Sequence, residues 1–156
     1  MSNIVESFNK IKLNINKLQK KQEVNIVAIS KTFPLQHIKP LINHGHNHFG
    51  ENKVQEALSK WSEVKKNNSK LYLHMVGKLQ SNKAKDASKI FDYIHSLDNI
   101  KLAKKISDEQ KKYNNKPKIF IQVNIGSEDQ KSGIDKKNIL DFYTECKKLN
   151  LDIIGI

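Results

Sequence analysis

Apolar residues recur at steps of three and four from the start of the chain, with Ile4, Phe8, Ile11, Ile15 and Leu18 on one helical stripe. The spacing predicts an amphipathic helix over residues 2–21, with Ser2 as its N-cap. The period then changes. Residues 24–29 (VNIVAI) form a short apolar, β-branched run, which predicts a strand buried on both faces. Pro34 is placed to open the next helix and Gly45 to close it, while Pro40 inside the segment should kink or shorten it. A second strand is expected near residues 46–50, and then a helix turning Val54, Leu58, Trp61 and Val64 inward.

The alternation continues to the end. Residues 71–77 (LYLHMVG) read as strand, 81–89 as a short helix and 91–95 as strand. Asp98 is placed to cap a helix with Ile100, Ala103 and Ile106 inward. Residues 118–125 (KIFIQVNI) give the clearest strand, Asp135 caps a helix through Leu149 with Asn150 as terminator, and 151–156 (LDIIGI) is a sixth strand. Such alternation implies α/β architecture, a parallel sheet with right-handed crossovers. Two arrangements fit: an open doubly wound sheet, or a (β/α) barrel of the TIM type. A complete barrel has eight strands in about 250 residues. Six strands in 156 residues would therefore be an incomplete one, about six of eight. Nothing repeats at fixed period and no linker divides the chain, so one domain over residues 1–156 is expected.

Composition narrows the function classes. No apolar run approaches the roughly 20 residues of a membrane span. The N-terminus lacks the basic-then-apolar layout of a secretory signal, so a cytoplasmic location is expected. The single cysteine, Cys146, excludes a disulfide framework and falls within an amphipathic helix, where core packing is its natural role. The net charge is +12, yet all 28 cationic side chains are lysines and arginine is absent. A sequence-specific nucleic-acid reader would use arginine for its bidentate contacts, so only salt-sensitive, non-specific attraction is expected. Neither GxGxxG nor GxxxxGK[ST] occurs, which weakens the doubly wound nucleotide-binding reading.

In either arrangement the working face lies at the C-terminal strand ends. There the sequence gathers Ser30, Lys31 and Thr32, then Glu51 and Asn52, then His74 with residues 77–82, then Ser96 and Asp98, then Asn124 and residues 131–133. Lys31 follows the run IVAIS directly, so its side chain should start at the mouth of the core. A partly desolvated lysine is a nucleophilic amine suited to condensing with an aldehyde; the alternative is a lysine snorkelling from a strand end. His44, His46 and His48 alternate and could meet a divalent metal on one strand face, or stand as solvated loop histidines. Trp61 falls on the apolar stripe of its helix and reads as core.

Five blocks occur in order: IVAISK ending at Lys31, HFGENKVQEA from His48, LHMVGKLQSNK from Leu73, IHSLD from Ile94, and VNIGSEDQKSGI from Val123. Together they resemble the pyridoxal 5′-phosphate (PLP) homeostasis protein family, whose fold is like the N-terminal barrel domain of alanine racemase. The resemblance implies a PLP-binding barrel that holds the cofactor as a Schiff base on Lys31. It places Asn52 at the cofactor pocket, and His74, Gln80, Ser81, Asn82, Lys131 and Ser132 around the pocket mouth. It implies no metal. The family acts as a PLP carrier or buffer in vitamin B6 balance, with PLP-requiring apo-enzymes as candidate recipients. It lacks the second domain of alanine racemase and the opposing tyrosine, so efficient racemisation is not expected, and weak racemase or lyase activity is the alternative. Members continue through two further strands, whose Ser- and Gly-rich turns grip the phosphate, and carry an arginine at the pyridine nitrogen. This sequence stops at Ile156 without any arginine. A fragment, or a degenerate form that associates through open sheet edges, is the expectation that follows.

Overall fold

Each strand of the main sheet lies beside the strand that follows it in sequence. A computed structural model describes residues 3–18, 24–113, 115–126 and 132–156. Its strands are β1 (Ala28–Ile29), β2 (His48–Glu51), β3 (Tyr72–Met75), β4 (Tyr93–Leu97), β5 (Lys118–Ile121), β6 (Val123–Asn124), β7 (Ile134–Asp135) and β8 (Asp152–Gly155). The six-stranded sheet runs β1-β2-β3-β4-β5-β8, and β6 pairs with β7 as a separate two-stranded ribbon. Every pairing is parallel. A doubly wound sheet reverses its strand order near the middle; this one never does. The order is that of a barrel arc with six strands, and right-handed crossovers then lay all the helices on one face.

That face holds the core. Helices α2 (Leu35–Asn43), α3 (Val54–Asn67), α4 (Ala84–Ile90), α5 (Ile100–Tyr113) and α6 (Ile139–Lys148) follow the strands in turn. Against them the sheet sets Phe49, Leu73, Met75, Ile94, Leu97, Ile119 and Ile121, all buried. Trp61 is fully buried with its ring centroid 4.9 Å from that of Phe49, and Cys146 packs in the same core as its helix pattern implied. The opposite face stays open: Tyr72 is 40% exposed and Ile154 43%. Because β1 is an edge, its strand is not buried on both faces as VNIVAI suggested, and Ile29 is 47% exposed.

Local chemistry shifts several boundaries by a residue. Helix α1 covers Ile4–Leu18, with the Val5 N–H donating to Asn3 Oδ1; Ser2 and residues 19–21 lie outside the described residues. None of its residues is fully buried. Asn99 rather than Asp98 caps α5, its Oδ1 accepting from the Leu102 N–H. Asp135 caps as expected, accepting from the Lys137 N–H, and Asn150 ends the segment at φ +58°. Pro40 sits within α2 without ending it, since the His44 N–H still reaches the Pro40 carbonyl. The single expected strand over 118–125 is divided into β5 and β6.

Candidate functional site

The register fixes which residues share a level on the open face. Ile29 lies opposite Gly50, and Gly50 opposite His74. Continued one two-residue step beyond the paired residues, the same register leads to Lys31, Asn52 and Val76, and the pairing of Met75 with Ile94 sets His95 beside Val76. Lys31 thus stands at the end of β1, beside the loop that opens α3. It is exposed, so the partial burial expected of it is absent; Ser30, one residue earlier, is the buried one. Its ammonium makes no hydrogen bond or ion pair within the described residues. The turn itself is tightly held. The Ser30 hydroxyl donates to Glu51 Oε1 at 2.7 Å, and the Thr32 N–H donates to Glu56 Oε1 at 2.8 Å.

Asn52 sits against the β3 exit. A cleft of about 250 Å³ is lined by Asn52, Gln80, Met75 and three lysines, Lys53, Lys78 and Lys83. The Asn52 side-chain oxygen is buried there with no hydrogen-bond partner among the described residues. Gly77 makes the approach of the two loops possible: a Cβ on it would stand 2.4 Å from the Asn52 carbonyl oxygen and 2.8 Å from its Cα. Both contacts are with backbone-linked atoms, which cannot swing aside. Gly77→Ala should therefore push the Asn52 loop outward and cost about 1–3 kcal/mol. A urea unfolding curve checks this, and an unchanged midpoint would refute the close approach.

The other expected pocket residues divide. Ser81 and Asn82 open the single 3-10 turn that leads into α4, next to the Asn52 cleft but not lining it. The Ser132 carbonyl accepts a 3.4 Å bond from Gln122 Nε2 beside the β6–β7 ribbon, and Lys131 lies outside the described residues. His74 stands apart from these residues. It lies a row deeper, 4% exposed, joined to His48 Nδ1 and His95 Nε2 by bonds of 2.9 Å each. The three imidazoles climb the open face diagonally from β2 to β4, with His74 stacked 4.2 Å on Tyr93 and His95 4.6 Å on Phe120. Desolvation, then the neighbouring His95 and His48, push the His74 pKa down to about 3; desolvation lowers His48 and His95 too. The run of alternate histidines does not converge: His44 bonds Asn9, His46 Nε2 bonds the His48 carbonyl, and only His48 joins the ladder.

Two groupings go beyond the strand-end residues read from the sequence: the Glu51–Lys60 pair and the histidine ladder. Glu51, fully buried, and Lys60 form an ion pair of 2.9 Å beneath the Lys31 turn. Alternation put Phe49 and Glu51 on one face of β2, and a carboxylate on a core face requires a partner; that signal was available. The ladder needed the strand register.

Comparison with known proteins gives the family and the fold. Residues 7–156 match the family model for the alanine racemase N-terminal domain. A pyridoxal phosphate homeostasis protein of Pasteurella multocida is 36% identical over 126 residues, covering 81% of this chain and 54% of that protein. One from Vibrio cholerae is 33% identical over 165 residues, covering 100% of this chain and 70% of the relative. The structure of PipY from Synechococcus elongatus with PLP bound superposes at a TM-score of 0.77 and 31% identity, covering 94% of this chain and 69% of that one. The chain spans 54% to 70% of the length of the two curated relatives described.

Proposed function

The chain belongs to the alanine racemase N-terminal domain family, among the pyridoxal phosphate homeostasis proteins, and from that premise we propose that it holds PLP as a Schiff base on Lys31. The observation that carries the reading is the position of Lys31: an exposed lysine two residues past the end of β1, beside the neighbouring strand β2 that leads into Asn52. When bound, PLP supplies an aldehyde that condenses with a primary amine. The residues present suit it. Lys31 offers the amine, the unpartnered Asn52 oxygen offers a polar contact, and Lys53, Lys78 and Lys83 in the adjoining cleft set a positive potential for a phosphate dianion.

The role is that of a carrier rather than a catalyst, in the cytoplasm, with PLP-requiring apo-enzymes as recipients. Turnover needs a proton donor and acceptor placed at the reacting carbon, and the nearest imidazole row carries His95, whose pKa burial depresses. No helix among the described residues is long and apolar enough to cross a membrane.

Titration with PLP, followed by borohydride reduction and peptide mapping, tests the reading. The wild-type chain should develop an imine absorbance band and carry the label on Lys31. Lys31→Ala should abolish the band and leave only background labelling. A band that survives the substitution rejects the site. Exchange of the alanine α-hydrogen in deuterated solvent should run no faster than with free PLP; faster exchange would favour the weak racemase reading.

A further inference from the structure

Lys60 is the most heavily engaged lysine near the candidate site, and it does not point at the open face. Its ammonium has three N–H donors and uses all of them: 2.9 Å to the Ser30 carbonyl, 2.9 Å to Glu51 Oε1 and 3.1 Å to Glu56 Oε1. Its side chain is 9% exposed and that of Glu51 0%. Glu51 Oε1 also accepts from the Ser30 hydroxyl at 2.7 Å and from the Trp61 indole N–H at 2.9 Å. Glu56 Oε1 accepts from the Thr32 N–H at 2.8 Å.

These bonds converge on the two residues that flank Lys31. Ser30 is held by its hydroxyl and its carbonyl, and Thr32 by its N–H. Thr32 adopts φ +67°, a left-handed conformation that a β-branched residue resists. The φ preference of Thr32 therefore opposes the turn, and what holds it is the 3.2 Å bond from the Phe33 N–H to the Ser30 carbonyl together with the cluster around Lys60. Lys31 itself makes no bond to the described residues, so only the backbone under it can fix where its amine stands.

We propose that Lys60, braced by Glu51 and Glu56, is the positioning residue that presents the Lys31 amine on the open face. The inference rests on the reading of Lys31 as the condensing amine. In that condensation a C=N bond forms between the Lys31 nitrogen and the aldehyde carbon. The C=O bond breaks, and its oxygen leaves as water with the two hydrogens of the neutral amine; nothing is oxidised or reduced. Holding the amine in one orientation favours that bond over condensation at freely moving surface lysines, of which this lysine-rich chain has many.

Two variants and one control decide it. Lys60→Met removes the cation, and Glu56→Ala removes the Thr32 tie at a side chain that is 27% exposed. Imine formation is followed with PLP and with pyridoxal, and the reduced products are mapped. Competitive acetylation, which needs no PLP, reads the reactivity of Lys31 separately. Lys60→Met should weaken the Lys31 imine at least tenfold, spread the label over other lysines and alter Lys31 acetylation. Glu56→Ala should weaken the imine several-fold with its melting curve nearly unchanged. Lys60→Arg, which keeps the charge, should recover most of the selectivity. Leu102→Ala, a core truncation away from the turn, should lower stability while leaving the label on Lys31. Wild-type imine affinity and labelling in either folded variant, Lys60→Met or Glu56→Ala, overturns the proposal. Failure of the reading beneath it looks different: the wild type gives no imine, or Lys31→Ala keeps it.

Discussion

Trp61→Ala should lower stability by about 3–5 kcal/mol, the range for removing a large aromatic from a core that cannot fully collapse. Trp61 is 0% exposed and packs at 4.9 Å on Phe49, so the truncation empties the junction between β2 and α3. It also removes an indole N–H from Glu51 Oε1, leaving that buried carboxylate to Ser30 and Lys60. Trp61→Phe separates the two effects. It retains most of the ring volume and loses only the donor, for an expected cost of about 1–2 kcal/mol. Urea unfolding of the two variants supplies the comparison. Equal costs would mean that the hydrogen bond outweighs the packing, and a cost below about 1 kcal/mol for the alanine variant would show that the junction relaxes. Because Glu51 also holds Ser30, the alanine variant should lose imine formation at Lys31 together with stability.

How far the sequence reveals this arrangement depends on the range of the interaction. Period and caps are local, so the alternation of strands and helices was legible throughout, and Asp135 and Asn150 act where their chemistry suggested. The expected cap at Asp98 gives way to its neighbour Asn99; two Asx side chains in series compete for the same N–H groups, and packing decides. The strand pattern puts Lys31 and Asn52 just past two strand ends, and β1 and β2 do end at Ile29 and Glu51 as neighbours in the sheet. The resemblance puts His74 around the pocket mouth with Gln80 and Ser81; in the sheet it pairs with Gly50 and Tyr93, a row below Asn52. Strand order separated a barrel arc from a doubly wound sheet, and order is a pairing between distant segments that periodicity does not encode. The cluster around Lys60 joins the turn after β1 to β2 and α3 across up to 30 positions for the same reason.

Acidification from pH 7 to pH 5 should destabilise the fold, and the histidine ladder gives the sign. The pKa of His74 falls from 6.5 to about 3 on folding, and desolvation lowers those of His46, His48 and His95 in the same direction. Below pH 6.5 the unfolded chain takes up protons at these imidazoles while the folded chain does not. Stability is therefore complete above about 6.5, declines as the pH falls, and for His74 levels off only near 3. At 1.36 kcal/mol per unit, His74 contributes roughly 1–2 kcal/mol between pH 7 and pH 5 after allowance for solvent reaching the half-buried ladder neighbours. Glu56, Glu145 and Asp135, which their hydrogen bonds hold below 4.5 and 3.8, add their losses only at lower pH. The interval from 7 to 5 thus isolates the imidazoles. His74→Phe keeps a ring over Tyr93 and removes the titrating group, while leaving His48 Nδ1 and His95 Nε2 without their partner. It should be less stable than wild type at pH 7 and show a shallower decline toward pH 5. Urea midpoints at the two pH values measure both. A wild-type midpoint that does not move, or a variant whose decline is as steep, would place the proton uptake elsewhere in the chain.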